Sequence, residues 1–383
     1  MQNILFVLYH DFRANSAVHV HNFANNLVKQ GLDCTVVVPQ HKETVSVLGQ
    51  NLYKAANFNE IDHLRKLFPN NQDPDIVHVW TPREIVRAFY EELAKRYRFR
   101  LFIHLEDNEE LLLEKFTQKT LSELIEDTRY PFPNNLSHPI KYREFLSKCD
   151  GVTVIIDRLQ EFVPTPVPTC VLWPGVDNNL FFPKNPDPDL TTHLGIPLNS
   201  TVLCYTGNVH PANAYEVRSL YLAVAMLNRE GYPTTLVRAG QDYCEFLSAE
   251  DSWARKYELG LGYVENHKIP DILALADVLV QPGKEDAFND YRLPSKLPEF
   301  LAMGKPVILP KTNIGRFMES MKDAIVLSKV DALTIVETIK LLVNNQDLCE
   351  QLGAGASGFS KTHLDWIANS KKLLDFYLST SNN

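Results

Sequence analysis

The sequence predicts an α/β protein made of two doubly wound domains, and three observations predict it. Short apolar runs of strand length alternate with stretches whose apolar residues recur at helical spacing. That alternation occurs twice, before and after a proline-dense stretch from Pro164 to Pro197 that is too broken for regular structure. The chain has 383 residues, 45% hydrophobic and 22% charged, which is long for one core and natural for two.

Each element follows in order. Ile4–Leu8 reads as a buried strand, bounded by the polar loop Tyr9–Asn15. Val20, Phe23, Ala24, Leu27 and Val28 then share one helical face, Gly31 stops that helix, and Cys34–Val38 begins a second strand. Strand–helix–strand is the opening of a parallel sheet. Asp75–Trp80 is the next strand, and Thr81-Pro82-Arg83-Glu84 has the spacing of a capping box that launches a helix through about Arg96. The strand Leu101–Leu105 runs at its carboxyl end into Glu106-Asp107-Asn108-Glu109-Glu110. Leu111–Lys148 reads as helix-rich with a break at Tyr130–Asn135, and Gly151–Ile156 closes the first half.

After the prolines, strands are expected over Thr201–Thr206, Thr234–Ala239, Asp277–Gln281 and Val307–Pro310. Helices are expected over Tyr215–Asn228, over Ile269–Leu275 and from Ser295 onward, the last ended by Met303-Gly304-Lys305-Pro306. A final helix, about Ser360 to Leu378, follows the completed second sheet. The resulting division is 1–170, a linker over 171–198, 199–357, and a C-terminal segment 358–383 with the option of packing back on the first domain.

A formal net charge of -9 argues against a nucleic-acid binder, which shows a basic face. The six cysteines are widely spaced without a C-x-x-C pair and read as reduced, buried thiols. Met1 leads almost directly into a strand without a leader-like segment, and no apolar run approaches the ~18 residues of a membrane span. A cytoplasmic enzyme is the expectation. The basic and aromatic run Lys95-Arg-Tyr-Arg-Phe-Arg100 offers a weak peripheral contact with a membrane surface, or simply a solvated helix end.

In open α/β sheets, ligands bind beyond the carboxyl ends of the strands. The densest chemistry at such an end is Asn289-Asp-Tyr-Arg-Leu-Pro-Ser-Lys-Leu-Pro-Glu299. With Ser295 as N-cap, the N–H groups of Ser295, Lys296 and Leu297 are expected to lack intrahelical partners, and Pro298 costs little in a first turn. The helix dipole, Arg292 and Lys296 together suit a phosphate or diphosphate. Glu299, one turn in, suits two adjacent hydroxyls such as a ribose presents, since its own charge repels phosphate.

Pro294-Ser-Lys-Leu-Pro-Glu-Phe-Leu-Ala-Met-Gly-Lys-Pro-Val-Ile308 closely resembles the donor-binding segment of the retaining GT-B glycosyltransferases of the group 1, family 4-like type. Other pieces line up in the family's order over nearly the whole chain: Trp173-Pro-Gly-Val-Asp177 with Phe182-Pro183, Thr206-Gly207-Asn208, Gly262-Tyr263-Val264 and Ala276–Pro282. The resemblance implies two Rossmann-like domains facing a central cleft. It also implies a nucleoside diphosphate sugar as donor, an acceptor hydroxyl, retention at the anomeric carbon, and no cofactor or essential metal. It implies that Glu299 holds the donor ribose and that Ser295–Leu297 hold the diphosphate. Gly207 and Asn208 would form the phosphate loop, and Tyr263 and Val264 would hold the base. A family histidine that bonds the transferred sugar matches His104.

Three departures stand out. Seven residues separate two glutamates in the family, but the position before Glu299 is Tyr291, leaving Asp290, Asp286 and Glu285 as substitutes for the first acid. The loop after Gly207 lacks the family's arginine and lysine, so Arg292, Lys296 and Arg238 remain to offset the leaving group, with His210 if protonated. The loop His10–Ser16 lacks the glycine pair, so side chains such as Asn15 would do the recognising.

On the first domain, Glu106 and Asp107 stand as acceptor-binding candidates at a strand end, against the reading of solvated or capping charges. His19, His21 and His78 read as structural. Asp73-Pro-Asp75 and Asp187-Pro-Asp189 match a D-x-D metal pattern formally but read as turns, and no His/Cys cluster has zinc spacing. Besides a transferase, the sequence leaves open a GT-B epimerase or phosphorylase and a catalytically degenerate binding or scaffold subunit. A dinucleotide dehydrogenase is disfavoured because no G-x-G-x-x-G follows the first strand.

Overall fold

Two all-parallel sheets organise the chain. The computed structural model describes residues 2–127 and 129–380; Met1, Thr128 and the last three residues of the 358–383 segment lie outside the described residues. One compact unit comprises Met1–Pro174, Tyr291–Leu293 and Trp366–Asn383, and the other Gly175–Asp290 and Pro294–Asp365.

In the first unit the strands are β1 (Asn3–Val7), β2 (Asp33–Val38), β3 (Lys54–Asn57), β4 (Ile76–Trp80), β5 (Arg100–Leu105), β6 (Gly151–Val154) and β7 (Thr169–Val171). They run in the order β3-β2-β1-β4-β5-β6-β7, every pair parallel. β1 and β4 are buried along their whole length, as helices on both faces require, so their sequences are continuous apolar runs. The helix α1 (Asn15–Lys29) lays Val20, Phe23, Ala24 and Leu27 into a core that includes Phe6 and Trp80. Strand order reverses between β1 and β4, so the loops leaving those strands diverge and open a ligand-binding position.

The helix α2 (Glu84–Arg96) begins two residues later than its sequence suggests, and the capping box is not made. Thr81 instead has φ 74° and donates its N–H to the His104 carbonyl at 3.0 Å, which holds the chain to the neighbouring strand past the end of β4. Three short helices, α3 (Glu109–Thr117), α4 (Leu121–Glu126) and α5 (Lys141–Leu146), fill the region before β6, with Asn108 and Thr120 capping the first two.

The second unit starts with α6 (Pro188–His193), capped by Asp187. Its strands are β8 (Thr201–Thr206), β9 (Thr234–Ala239), β10 (Glu258–Gly260), β11 (Val278–Val280), β13 (Val307–Pro310) and β14 (Ile325–Leu327), in the order β10-β9-β8-β11-β13-β14. β12 (Gly283–Lys284) and β15 (Lys329–Val330) make a separate antiparallel ribbon. The helices are α7 (Ala214–Arg229), α8 (Ile269–Ala274), α9 (Lys296–Ala302), α10 (Ala332–Val343) and α11 (Gln346–His363). The reversal lies between β8 and β11, so the loop after β8 and the loop leading to α9 are the candidates for ligand contact.

The expected final helix is two helices. α11 stops at Leu364, whose φ of -111° and ψ of 45° leave the helical region, and whose carbonyl accepts from Val176 N–H at 2.9 Å. A separate helix, α12 (Trp366–Ser379), belongs to the first unit, where Trp366 meets Phe23 edge-on at 5.1 Å.

Candidate active site

In the second unit two glycines determine the shape of the loop after β8. Gly207 has φ 149° and Gly240 has φ 135°, in the region that favours glycine. A Cβ on Gly240 would lie 2.2 Å from the Gly207 carbonyl oxygen, and one on Gly207 would lie 2.8 Å from Lys296 Cε. The loops following β8 and β9 therefore close on each other, and the Lys296 side chain lies over Gly207. Asn208 fixes this arrangement: its Oδ1 accepts from Gln241 N–H at 2.8 Å and its carbonyl accepts from Asn213 at 3.0 Å.

Lys296 opens α9, with its ammonium 4.4 Å from the centre of the Tyr205 ring and donating to the Tyr205 hydroxyl at 3.1 Å. Among the described residues no carboxylate ion-pairs with it. Glu299, half-buried one turn further on, accepts no hydrogen bond from the described residues. Burial pushes its carboxyl up to about 8 against the opposing pull of Lys296. The pair is a cation without a counter-ion beside a carboxyl without donors. The amide pattern differs from expectation in one respect: Leu297 N–H donates to the Pro294 carbonyl at 3.0 Å, so that amide is engaged. Ser295 is the exposed N-cap and makes no side-chain capping bond.

Arg238 lies elsewhere. It is 4% exposed within β9, paired with Asp242, 3.6 Å from Glu258 and bonded to the Tyr221 hydroxyl at 3.3 Å. Two carboxylates match its charge, so it offers none to a phosphate. His210 stacks on Tyr243 at 5.0 Å, and burial, reinforced by Lys296, lowers its pKa, which disfavours the protonated form. Tyr263 is exposed and Val264 half-buried in the loop after β10, where Gly240 N–H donates to the Gly262 carbonyl at 2.7 Å.

The three candidates for the first acid stand as follows. Asp290 accepts a hydrogen bond from the fully buried Thr312 hydroxyl. Asp286 Oδ1 accepts from the N–H groups of Phe288 and Asn289 at 3.0 and 2.8 Å, which caps a turn, and Glu285 is exposed. Both aspartates thus have structural partners. Tyr291–Leu293 packs with the first unit, where the Tyr291 hydroxyl donates to Glu161 at 2.7 Å, and Arg292 acts electrostatically on Asp107.

In the first unit the ends of β1, β4 and β5 converge. Glu106 accepts from Ser16, from His19 Nδ1 at 2.9 Å and from Trp80 Nε1 at 2.7 Å. Burial alone would raise its pKa, but His19, His104 and Ser16 hold it down at about 2, so Glu106 is an anion whose lone pairs are engaged. His19, read as structural, is therefore part of this group; the signal was an i, i+3 pairing of Ser16 and His19 facing one strand end. Asp107 accepts no hydrogen bond from the described residues. Burial, then Glu106 and Glu109, push it up to about 7 against Arg83 and Arg292. Arg83 stacks 3.9 Å over the Tyr9 ring and faces Glu109 at 3.4 Å. His104 is 1% exposed, stacked at 3.9 Å on Trp80, and burial lowers it to about 3. Asn15 is exposed at the start of α1.

The two D-x-D runs are structural: Asp73 pairs with Arg65, Asp75 accepts from Asn3 N–H at 2.8 Å, and Asp187 caps α6. Among the described residues no cluster of three or more His, Cys, Asp or Glu side chains has the arrangement of a metal site. Of the basic run, Lys95 pairs with Glu92, Arg96 with Asp62, and Arg100 donates to the Tyr377 carbonyl. Among the described residues no helix is long and apolar enough to cross a membrane.

Residues 200–345 match the family model described as glycosyl transferases group 1. No curated protein sequence matches the chain. Solved structures that resemble it over nearly its whole length include HepE of Anabaena in complex with UDP and glucose, at a TM-score of 0.72 and 14% identity, covering 99% of this chain and 100% of that one. Sucrose-phosphate synthase from Thermosynechococcus elongatus has a TM-score of 0.70 and 13% identity, covering 99% of each chain. A mutant of S. aureus TarM, in complex with Fondaparinux, alpha-GlcNAc-glycerol and UDP, has a TM-score of 0.68 and 10% identity, covering 100% of each. At these identities the likeness is one of fold, and that fold is GT-B.

Proposed function

We propose that the protein is a glycosyltransferase, since residues 200–345 match the glycosyl transferases group 1 model and the fold is GT-B, and that it moves a sugar from a nucleoside diphosphate to an acceptor hydroxyl with retention and without a metal. The observation that carries this reading is Lys296 over Gly207 next to Glu299, the first without an ion-pair partner and the second without a hydrogen-bond donor among the described residues. A diphosphate supplies the first with its counter-charge, and a ribose diol supplies the second with two hydroxyl donors. Uridine is the base to test first, because structures of two of the GT-B proteins above are named as UDP complexes.

In this reading the Gly207–Asn208 loop and Lys296 hold the diphosphate, with Ser295 and Leu297 lining the turn, while Glu299 holds the ribose and Tyr263 and Val264 face the base. His104 bonds the transferred sugar. Asp107 binds the acceptor hydroxyl, with Asn15 beside it, and Glu106 keeps Ser16, His19 and Trp80 in place. Departure of the nucleoside diphosphate concentrates negative charge that Lys296 and Arg292 stabilise. The leaving phosphate takes the acceptor proton on the same face of the sugar, so retention requires no enzyme nucleophile, and positioning contributes the rest. Asp290 takes no chemical role here because Thr312 holds it, and Arg238 serves the fold.

A thermal-shift panel of UDP, GDP, ADP, dTDP, CDP and NAD in EDTA tests this on wild type and Glu299→Ala. A ligand at about 100 times its Kd stabilises by roughly 2.7 kcal/mol, enough to see. One nucleoside diphosphate should shift the wild type and lose that shift in the variant. A shift by NAD alone, or by none of them, would contradict the reading. The second reading, a binding or scaffold subunit, draws on the engagement of Asp286 and Asp290; it predicts the same shift but no consumption of any nucleotide sugar.

A further inference from the structure

Four buried side chains of the first unit form one hydrogen-bonded file. The Tyr377 hydroxyl, on α12, is 2.6 Å from His78 Nδ1, and His78 Nε2 is 3.0 Å from Thr153 Oγ1. The same threonine hydroxyl is 2.8 Å from His104 Nδ1. Tyr377, His78 and Thr153 are wholly excluded from solvent. At the far end, His104 Nε2 is buried and has no hydrogen-bond partner among the described residues.

Thr153 has one proton, so it donates to one histidine and accepts from the other. That makes the file all-or-none. Either the protons run from Tyr377 towards His104, which leaves His104 protonated on Nε2, or they run the other way and leave Nε2 bare. Both rings are neutral, since burial lowers His78 well below the usual histidine range and His104 to about 3, so each carries a single ring proton. The direction is set at the phenol. A tyrosine hydroxyl is a strong donor and a poor acceptor, and a separation of 2.6 Å suits an O–H donor onto a ring nitrogen. Trp80, stacked on His104 at 3.9 Å, holds the ring plane in which that proton lies.

We propose that Tyr377 is a positioning residue which, through His78 and Thr153, fixes His104 in the Nε2–H tautomer, so that His104 presents a hydrogen-bond donor. The consequence for substrate rests on the reading of His104 as a contact of the transferred sugar. A neutral N–H selects a sugar oxygen that accepts, and it does so without adding charge. α12 is then part of the working site, although Tyr377 is 299 residues away from His78 in sequence.

Nitrogen-15 NMR of the full chain labelled at histidine reads the tautomer directly, with His104→Asn assigning the signal. The wild type should show Nε2 protonated and Nδ1 bare. Tyr377→Phe keeps the ring and removes the hydroxyl; it should give a mixed tautomer and lower kcat for sugar transfer roughly tenfold, with the UDP Kd unchanged. Thr153→Val should do the same, and Thr153→Ser should restore the wild-type signal and rate. A bare Nε2 in the wild type, or an unaltered tautomer in both Tyr377→Phe and Thr153→Val, overturns the proposal. An altered tautomer with unaltered transfer upholds the relay and instead removes His104 from the sugar, so the two ideas fail separately.

Discussion

If Glu299 holds the donor ribose as proposed, nucleotide binding must displace a proton from its carboxyl. Its carboxyl titrates at about 8 instead of 4.5 in the free protein because burial disfavours the anion and no donor compensates it. A ribose diol donates to the anion, so binding selects the ionised form and lowers the pKa. If only that form binds, its population sets the affinity: about one half at pH 8, roughly a tenth at pH 7 and roughly a hundredth at pH 6. UDP should therefore bind about 50-fold more tightly at pH 8 than at pH 6, and release about 0.9 proton per site at pH 7. Titration calorimetry at pH 7 in buffers of different ionisation enthalpy counts that proton. Glu299→Gln keeps the shape and removes the titration, so whatever pH dependence remains belongs to the nucleotide's own phosphates. In the free protein the same carboxyl, with its folded pKa raised, makes stability fall as pH rises from about 4.5 through about 8. Glu299→Gln should match wild type in thermal stability near pH 4.5 and exceed it above pH 8. Equal proton release by wild type and Glu299→Gln would refute the reasoning.

Two further substitutions separate site from scaffold. Lys296→Met should lower kcat by roughly 10²- to 10³-fold, as loss of a preorganised charge at a leaving group does, while the folded thermal transition is kept; a steady-state assay reads it. Arg238→Met should do the reverse, since it leaves Asp242 and Glu258 to the more exposed Arg255 alone of the two arginines that face them: stability falls by roughly 1–3 kcal/mol in denaturant titration, while the UDP Kd of the folded fraction stays within about twofold.

These contrasts mark what the sequence could and could not disclose. Strand–helix alternation was legible because parallel strands covered on both faces are continuous apolar runs, as in Val36–Val38. Edge strands were not: Lys54-Ala-Ala-Asn57 has neither β-branched nor aromatic residues and is recruited by its neighbour. Lys296 and Glu299 were legible as candidates because a helix start at a strand end concentrates them in one short segment. Arg238 was not, since its neutralisation depends on Asp242 in the next loop and Glu258 on the neighbouring strand. Asp290 likewise meets Thr312 only through the fold, and the file from Tyr377 to His104 joins the two ends of the chain. Local spacing reports chemistry that one element carries by itself. It is silent on which charges the sheet brings together and cancels.

The most direct test of the account is to incubate the protein in EDTA with UDP-, GDP-, ADP- and dTDP-sugars and follow the anomeric proton of each donor by NMR. One donor should be consumed, the released or transferred sugar should first appear with the donor's anomeric configuration, and Glu299→Ala and Lys296→Met should suppress this. Inverted product, dependence on added metal, or a donor that binds but is never consumed would contradict it.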